Sequence, residues 1–447
     1  MKKFLTYQVF LVIILSIISS IFFGALLRQH YLKVSEEKYK SLKKIAVFFA
    51  EIPSVTKTMV INKTININRL PMLSRHKDKE RFKQFINNNR NALLVLPRYD
   101  FNKNRSVVEI IDLKNFEILH IYEHDISEMN NKTKNLEEFP TLKLDNSPVR
   151  FLYRHPLILA DGSLISNSNG PEFKIDICSN LKWINDNERF HHSLNLDHEG
   201  NIWQVGELKP YSKYVSMFNV PNFSDSALIK MNNEGDILYK KSVIELLIEN
   251  KIFPKNFAYN ASYDNNINPI HLNDIEPALS NSEYWKKGDV FLSIKNQSAV
   301  ILYRPSSNKV INYITGPFAR QHDVDIISKN QISIFNNNNF FDSNKYSEIL
   351  IYNFETKKFQ KLINNQLKDE NFKTSTNGLS HYFKDGALLV EEQNHGRLIL
   401  FDKEGNKEWE YVNINKKNQV GYIKWVRIIE DEKFIEKFKL LLKKTTC

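Results

Sequence analysis

Cysteine is nearly absent from this chain. Cys178 and Cys447 are the only two, too few for a disulfide-built scaffold or a cysteine zinc site. A dense block of lysine and arginine is missing as well. The net charge of +11, from 62 Lys+Arg against 51 Asp+Glu, is spread over 447 residues. No nucleic-acid partner is therefore expected, while an anionic lipid surface or a small anionic substrate remains open. The composition is not that of a disordered chain: 42% is hydrophobic, and 30 Phe and 19 Tyr can fill a sizeable core. The length suits one large domain or a few smaller ones.

Charge is also absent from residues 4–27. A helix over residues 9–27, rising ~1.5 Å per residue, would span roughly the hydrocarbon thickness of a bilayer. The stretch is longer than a signal-peptide core and no A-x-A-like cleavage site follows, so an uncleaved single-pass anchor is expected. Lys2 and Lys3 flank one side; Arg28, Lys33, Lys38, Lys40, Lys43 and Lys44 flank the other. Counting these charges places the following domain in the cytoplasm, but the rule is weak for a long domain, so charge leaves the orientation open. Residues 28–50 read as a juxtamembrane helix with Leu42, Ile45, Phe48 and Phe49 on one face.

Beyond residue 90 one pattern recurs. Asp161-Gly162 opens a short strand, and apolar runs at 173–177 and 181–184 follow. The same order returns from Glu199-Gly200, Lys287-Gly288, Lys329-Asn330 and Asp385-Gly386, and a glycine-less copy runs through 93–97, 107–112 and 118–122. Gly, Asn and Asp at the turns supply the positive φ of tight hairpins, and β-branched and aromatic runs lie between them. Six such copies predict an all-β, six-bladed β-propeller rather than a sandwich. The expected organisation is an anchor at 1–27, a juxtamembrane helix and linker at 28–90, the propeller at 91–414 and a partly helical extension at 415–447. Helical patterns are confined to the ends and to insertions, notably 241–252 and 431–444.

Four of the twelve histidines share one repeat position: His155, His192, His271 and His322. First strands of propeller blades line the central channel, so residues entering them at equal depth converge. A ring of imidazoles serves either a metal ion or acid/base and nucleophilic chemistry. No carboxylate stands at a matching register, which ranks chemistry above metal. Trp183 and Trp409 close third strands and are expected in packing between blades.

Two segments add a resemblance. Residues 268–275 (NPIHLNDI) with 288–298 (GDVFLSIKNQS), and 318–323 (FARQHD) with 333–337 (SIFNN), are similar to motifs of the arylsulfate sulfotransferase family. The resemblance covers about residues 150–412. It implies a six-bladed propeller that moves a sulfuryl group from a phenolic sulfate ester to a phenol, with no cofactor. It further implies His322 as a nucleophile forming a sulfohistidine, with His271, Asn273 and His192 as its companions. Lys295 stands where the family has arginine and Asn336 where it has aspartate. An ammonium is a point charge where a guanidinium is a bidentate fork, so Lys295 is a chemical departure.

The expected catalytic set is thus His322, His271, His192 and Lys295, with Asn273 and Arg320 binding substrate and no metal. The partners implied are an aryl sulfate, a phenol, and the bilayer through residues 9–27, with the propeller on the periplasmic side. His155, His381 and His395 are assigned to structure. The alternative is a non-catalytic ligand-binding or assembly propeller, favoured by the departure at Lys295. Propeller dehydrogenases with a quinone cofactor are disfavoured, because their Trp-rich docking repeats are absent.

Overall fold

A computed structural model describes residues 2–31, 38–64, 75–87, 90–148, 150–217, 223–253, 267–338 and 346–447. Within the juxtamembrane helix and linker expected at 28–90, residues 32–37 (with Lys33), 65–74 and 88–89 lie outside the described residues. The chain divides into two compact units, Met1–Asn66 and Ile67–Cys447.

The first unit holds two helices, Lys2–Tyr31 and Lys40–Thr64, packed on each other. Residues Tyr7–His30 form a helix long and apolar enough to cross a membrane, and its side chains are almost wholly exposed. The juxtamembrane helix expected at 28–50 starts later and runs on to Thr64, with Pro53 inside it. Leu42, Ile45, Phe48 and Phe49 are exposed, while Lys43 and Ala46 are buried.

The second unit is an all-β, propeller-like array of antiparallel sheets. Three sheets have four strands and one has five. The fifth continuous sheet has seven strands, which departs from the six separate blades expected. The cause is one strand, Leu181–Leu196, far longer than the others. Its first part pairs with Gly170–Ile175 (Phe173 opposite Ile184) and its last part with Ile202–Glu207 (Leu194 opposite Gln204). What reads in sequence as the end of one copy and the start of the next is unbroken backbone. The turn that follows this pair of copies shows why glycine recurs: Gly235 has φ +91°, and a Cβ there would meet the Trp183 ring at 3.0 Å.

Both ends of the array are locked. Strand Arg427–Ile429, from the stretch expected as an extension, pairs with Leu93–Asp100 (Leu93 opposite Ile429) and so supplies the first sheet's missing strand. Strand Phe82–Gln84 pairs with Lys407–Val412 (Phe82 opposite Tyr411) and widens the last sheet. Behind it, Arg397 lies fully buried among Glu370, Glu392 and Glu410. The terminal helix Glu432–Lys444 is capped by Asp431, buries Ile435 and Phe438, and ends near a Cys178–Cys447 disulfide. The two cysteines make one long-range tie, which their count did not foretell. Trp183 donates to Asn233 O within the seven-stranded sheet, and Trp409 of the five-stranded sheet packs on Phe82 of its own sheet and on Phe116 of the neighbouring one.

Candidate active site

Five imidazoles and one indole gather where the first strands of the sheets begin. The His192 ring centroid lies 5.3 Å from His271, 6.1 Å from His322 and 4.6 Å from His191. Trp425 stands among them, 5.4 Å from His155, 5.9 Å from His192 and 6.5 Å from His322. The local backbone is unusual. His155, His192, His271, Arg320, Asn377 and Trp425 all have φ between +40° and +65°, each at or just before such a strand. A non-glycine residue in this region costs ~1–2 kcal/mol, a strain that concentrates at functional sites. Four of these kinks carry the rings of His155, His192, His271 and Trp425, which lie in one cluster.

A belt of buried hydrogen bonds between sheets holds these strand starts in place. Asp274 accepts from Val324 N–H (3.0 Å) and from Asn195 Nδ2 (3.4 Å). Asn273 donates to Gln321 O, Asp323 accepts from Ser380 N–H, and Glu391 accepts from Trp425 and Val426 N–H. Arg427 completes the circuit through the carbonyls of Pro156, His155 and Leu194.

The hydrogen bonds also set the imidazole tautomers. Asn337 Nδ2 donates to Thr374 O and Asn377 O, so its Oδ1 accepts from His322 Nδ1–H at 2.6 Å. His322 Nε2 then carries a lone pair, which accepts from Asn377 N–H at 2.8 Å. His271 is the reverse. Asn268 Oδ1 accepts the His271 backbone N–H, and Asn268 Nδ2 donates to His271 Nδ1, which leaves the proton on Nε2. His191 and His192 share one Nδ1–Nδ1 hydrogen bond.

Burial, followed by Lys295, drives His322 down to about 3. The same two causes hold His271 well below its ordinary value. Burial and the neighbouring His191 do so for His192. All three are neutral at pH 7. Burial, then Arg320, brings Lys295 down to about 8. Lys295 follows strand Val290–Ile294 and its N–H bonds to His271 O, which fixes it beside that imidazole. Lys295, Arg320, Arg154 and Lys424 form no ion pair among the described residues. Neutral imidazoles among unpaired cations suit an anion better than a metal ion.

His192, His271, His322, Lys295 and Arg320 therefore share one site. Asn273 is fully buried and its amide N–H is engaged by the next sheet; its Oδ1 has no partner. Asn336 Oδ1 accepts from Ala319 N–H and so shapes the loop that carries Arg320. Of the three histidines assigned to structure, His155 joins the site, because its positive φ swings the ring onto Trp425. His381 instead contacts Glu430, and His395 packs on His76. Sequence reasoning missed His191, Asn268, Asn337, Asn377 and Trp425. The His191-His192 pair was a signal; Trp425 gave none, lying past the last recognised repeat.

The fold and site define a propeller-like protein with a cationic, histidine-lined centre suited to an anion. Residues 155–414 match the arylsulfotransferase (ASST) family, and the chain belongs to it. That match supports aryl sulfotransferase activity. No curated protein matches the chain by sequence. Among solved structures, it is similar to a Bacteroides caccae protein of unknown function at 13% identity and a TM-score of 0.46, over 76% of this chain and 100% of that one. It is also similar to a catalytically inactive virginiamycin B lyase from Staphylococcus aureus with quinupristin, at 11% identity and a TM-score of 0.34, over 57% of this chain and 69% of that one. A streptogramin B lyase structure matches at 9% identity and a TM-score of 0.37, over 75% and 88% of the two chains.

Proposed function

We propose that this chain is a membrane-anchored aryl sulfotransferase that moves a sulfuryl group from a phenolic sulfate ester to a phenol acceptor through a sulfohistidine at His322. The observation that carries the reading is the meeting of His192, His271 and His322 beside Lys295 and Arg320 in a chain of the ASST family. The seven-stranded sheet is read as two blades sharing strand Leu181–Leu196, which with the other four sheets makes a six-bladed ring from Leu93 to Ile429. Tyr7–His30 is read as the anchor. The Cys178–Cys447 disulfide supports a propeller in an oxidising, periplasmic compartment.

The chemistry follows from the protonation states. His322 Nε2 gives up its bond from Asn377 N–H and attacks sulfur; an N–S bond forms and the S–O bond to the aryl group breaks. Lys295 and Arg320 offset the charge on the sulfuryl oxygens. The electron pair leaves on the phenolate oxygen, which accepts a hydrogen bond from His271 Nε2–H. It takes a proton from the Lys295 ammonium, whose pKa of about 8 lies below the ~10 of a phenol. In the second half-reaction the acceptor phenol returns that proton to Lys295, its oxygen bonds to sulfur, and the N–S electron pair goes back to His322.

The test uses full-length protein in detergent with 4-nitrophenyl sulfate. Nitrophenol release is expected only when a phenol acceptor is present, with ping-pong kinetics and a sulfuryl adduct on the His322 peptide. Turnover that survives in His322→Ala excludes the nucleophile. One observation favours a second reading, a non-catalytic ligand-binding propeller: the His322 lone pair is already occupied by Asn377 N–H. That reading predicts no adduct and no acceptor-dependent release.

A further inference from the structure

Two cations at the site have no part in the sulfuryl chemistry. Arg154 begins the strand Arg154–Ile158, where its N–H donates to Ser166 Oγ at 3.0 Å. Its guanidinium Nε is buried with no hydrogen-bond partner. Lys424 is 7% exposed, its N–H is fixed on Pro97 O, and its Nζ lies 5.9 Å from the centre of the Tyr422 ring. Each is next in sequence to a ring of the cluster: Arg154 precedes His155, Lys424 precedes Trp425, and those two rings are 5.4 Å apart.

The carboxylates that face these cations are engaged elsewhere. Asp145 accepts from Arg150 Nε at 3.0 Å and from Asn169 Nδ2 at 2.9 Å. Glu391 is held by the N–H groups of Trp425 and Val426, both at 2.8 Å. Burial lowers the proton affinity of both cations, bringing Arg154 to about 10 against the pull of Asp145 and, with Arg154 as the second cause, holding Lys424 well below its ordinary value. Asp145 and Glu391 act on these cations only at a distance, since neither cation forms an ion pair among the described residues, and a bound anion would supply the close partner that both lack.

We infer that Arg154 and Lys424 form a second anion subsite, which takes an acidic substituent, carboxylate or sulfonate, on the aryl ring of the substrate. The inference rests on the sulfotransferase reading and narrows it. The sulfuryl group lies toward Lys295 and Arg320, the ring against Trp425, and the second acid between Arg154 and Lys424. The substrate class is then an aryl sulfate bearing another anionic group.

Unreactive ligands separate this from the chemistry. Calorimetric titration of the full chain compares benzenesulfonate with 3- and 4-sulfobenzoate and with benzene-1,3-disulfonate. At least one of the dianions is expected to bind about tenfold tighter than the monoanion, the scale of one charge-assisted hydrogen bond. In the Arg154→Gln, Lys424→Met double variant the ratio of dissociation constants is expected to fall to near one. Arg154→Lys and Lys424→Arg, which keep the charges, are expected to retain a preference and serve if the double variant fails to fold. Equal binding of all four ligands by the wild type, or a preference that persists without both charges, overturns the subsite. A retained preference in a protein that forms no His322 adduct removes the sulfotransferase reading and leaves the anion site standing.

Discussion

At the scale of single residues, Lys295 decides most. An arginine there would stay charged at any working pH, whereas burial and then Arg320 bring the lysine down to about 8. On the proposed chemistry it attracts the anionic donor only while protonated, and its backbone N–H bond to His271 O holds it beside that imidazole. The expected kcat/KM for 4-nitrophenyl sulfate is level below about pH 8 and falls above it, as the ammonium is lost. Lys295→Arg moves that limb beyond the measurable range. The same variant loses proton transfer, so with a poor leaving group such as phenyl sulfate its kcat falls by about 100-fold, against a small loss for the nitrophenyl ester. A limb that stays near pH 8 in the arginine variant overturns this role. His271 and His322 differ in a comparable way. Asn268 and Asn337 are the same residue type, yet one donates to its histidine and the other accepts, so one imidazole presents a proton and the other a lone pair.

At the scale of elements, closure depends on segments that sequence patterning assigned to the flanks. Arg427–Ile429 completes the first sheet, and Trp425 and Lys424 enter the site on the same segment. The Cys178–Cys447 disulfide fastens the chain just beyond it, closing a loop of 269 residues. Cys447→Ser is expected to lower stability by about 2–4 kcal/mol and to bring down the midpoint of thermal unfolding, as does treatment of the wild type with dithiothreitol. An unchanged midpoint in both would show the tie to be dispensable. The repeats were legible because each strand–turn–strand unit carries its own glycine or asparagine and its own apolar run. The register of His192, His271 and His322 was legible for the same reason. What was not legible depends on pairing between distant segments: the continuous Leu181–Leu196 strand, the returning C-terminal strand, and the left-handed φ that turns His155 inward. A three-residue strand such as Arg427–Ile429 has too little alternation to announce itself, and a pair of cysteines says nothing of its geometry until the ends are brought together.

At the scale of the whole molecule, two buried titrating groups pull stability in opposite directions. The imidazoles of His155, His191, His192, His271 and His322 all have proton affinities lowered first by burial. Below about pH 6.5 the unfolded chain takes up protons that the folded one refuses, so their contribution is present above that pH and is lost as pH falls. On the adjoining strands Leu272–Pro277 and Val324–Ser328, the carboxyls of Asp274, Glu276 and Asp325, with Asp323 just before, are all raised first by burial. Asp325 is pushed up to about 7, with Asp274 as the second cause. Here the folded state keeps protons that the unfolded state releases from about pH 4 upward. Their contribution is full below about pH 4 and is lost as pH rises through about 7, with Arg427 offsetting part of the charge. The two slopes cross between, so the unfolding midpoint of the full chain is expected to peak near pH 6 and decline on both sides. Asp325→Asn removes one member of the acidic group while keeping its shape. It is expected to raise the midpoint by a few degrees at pH 8, where the wild-type carboxyl must ionise, and by much less at pH 5, where it is already neutral. Equal shifts at the two pH values would mean that Asp325 acts through packing alone, and the alkaline decline would then need another source.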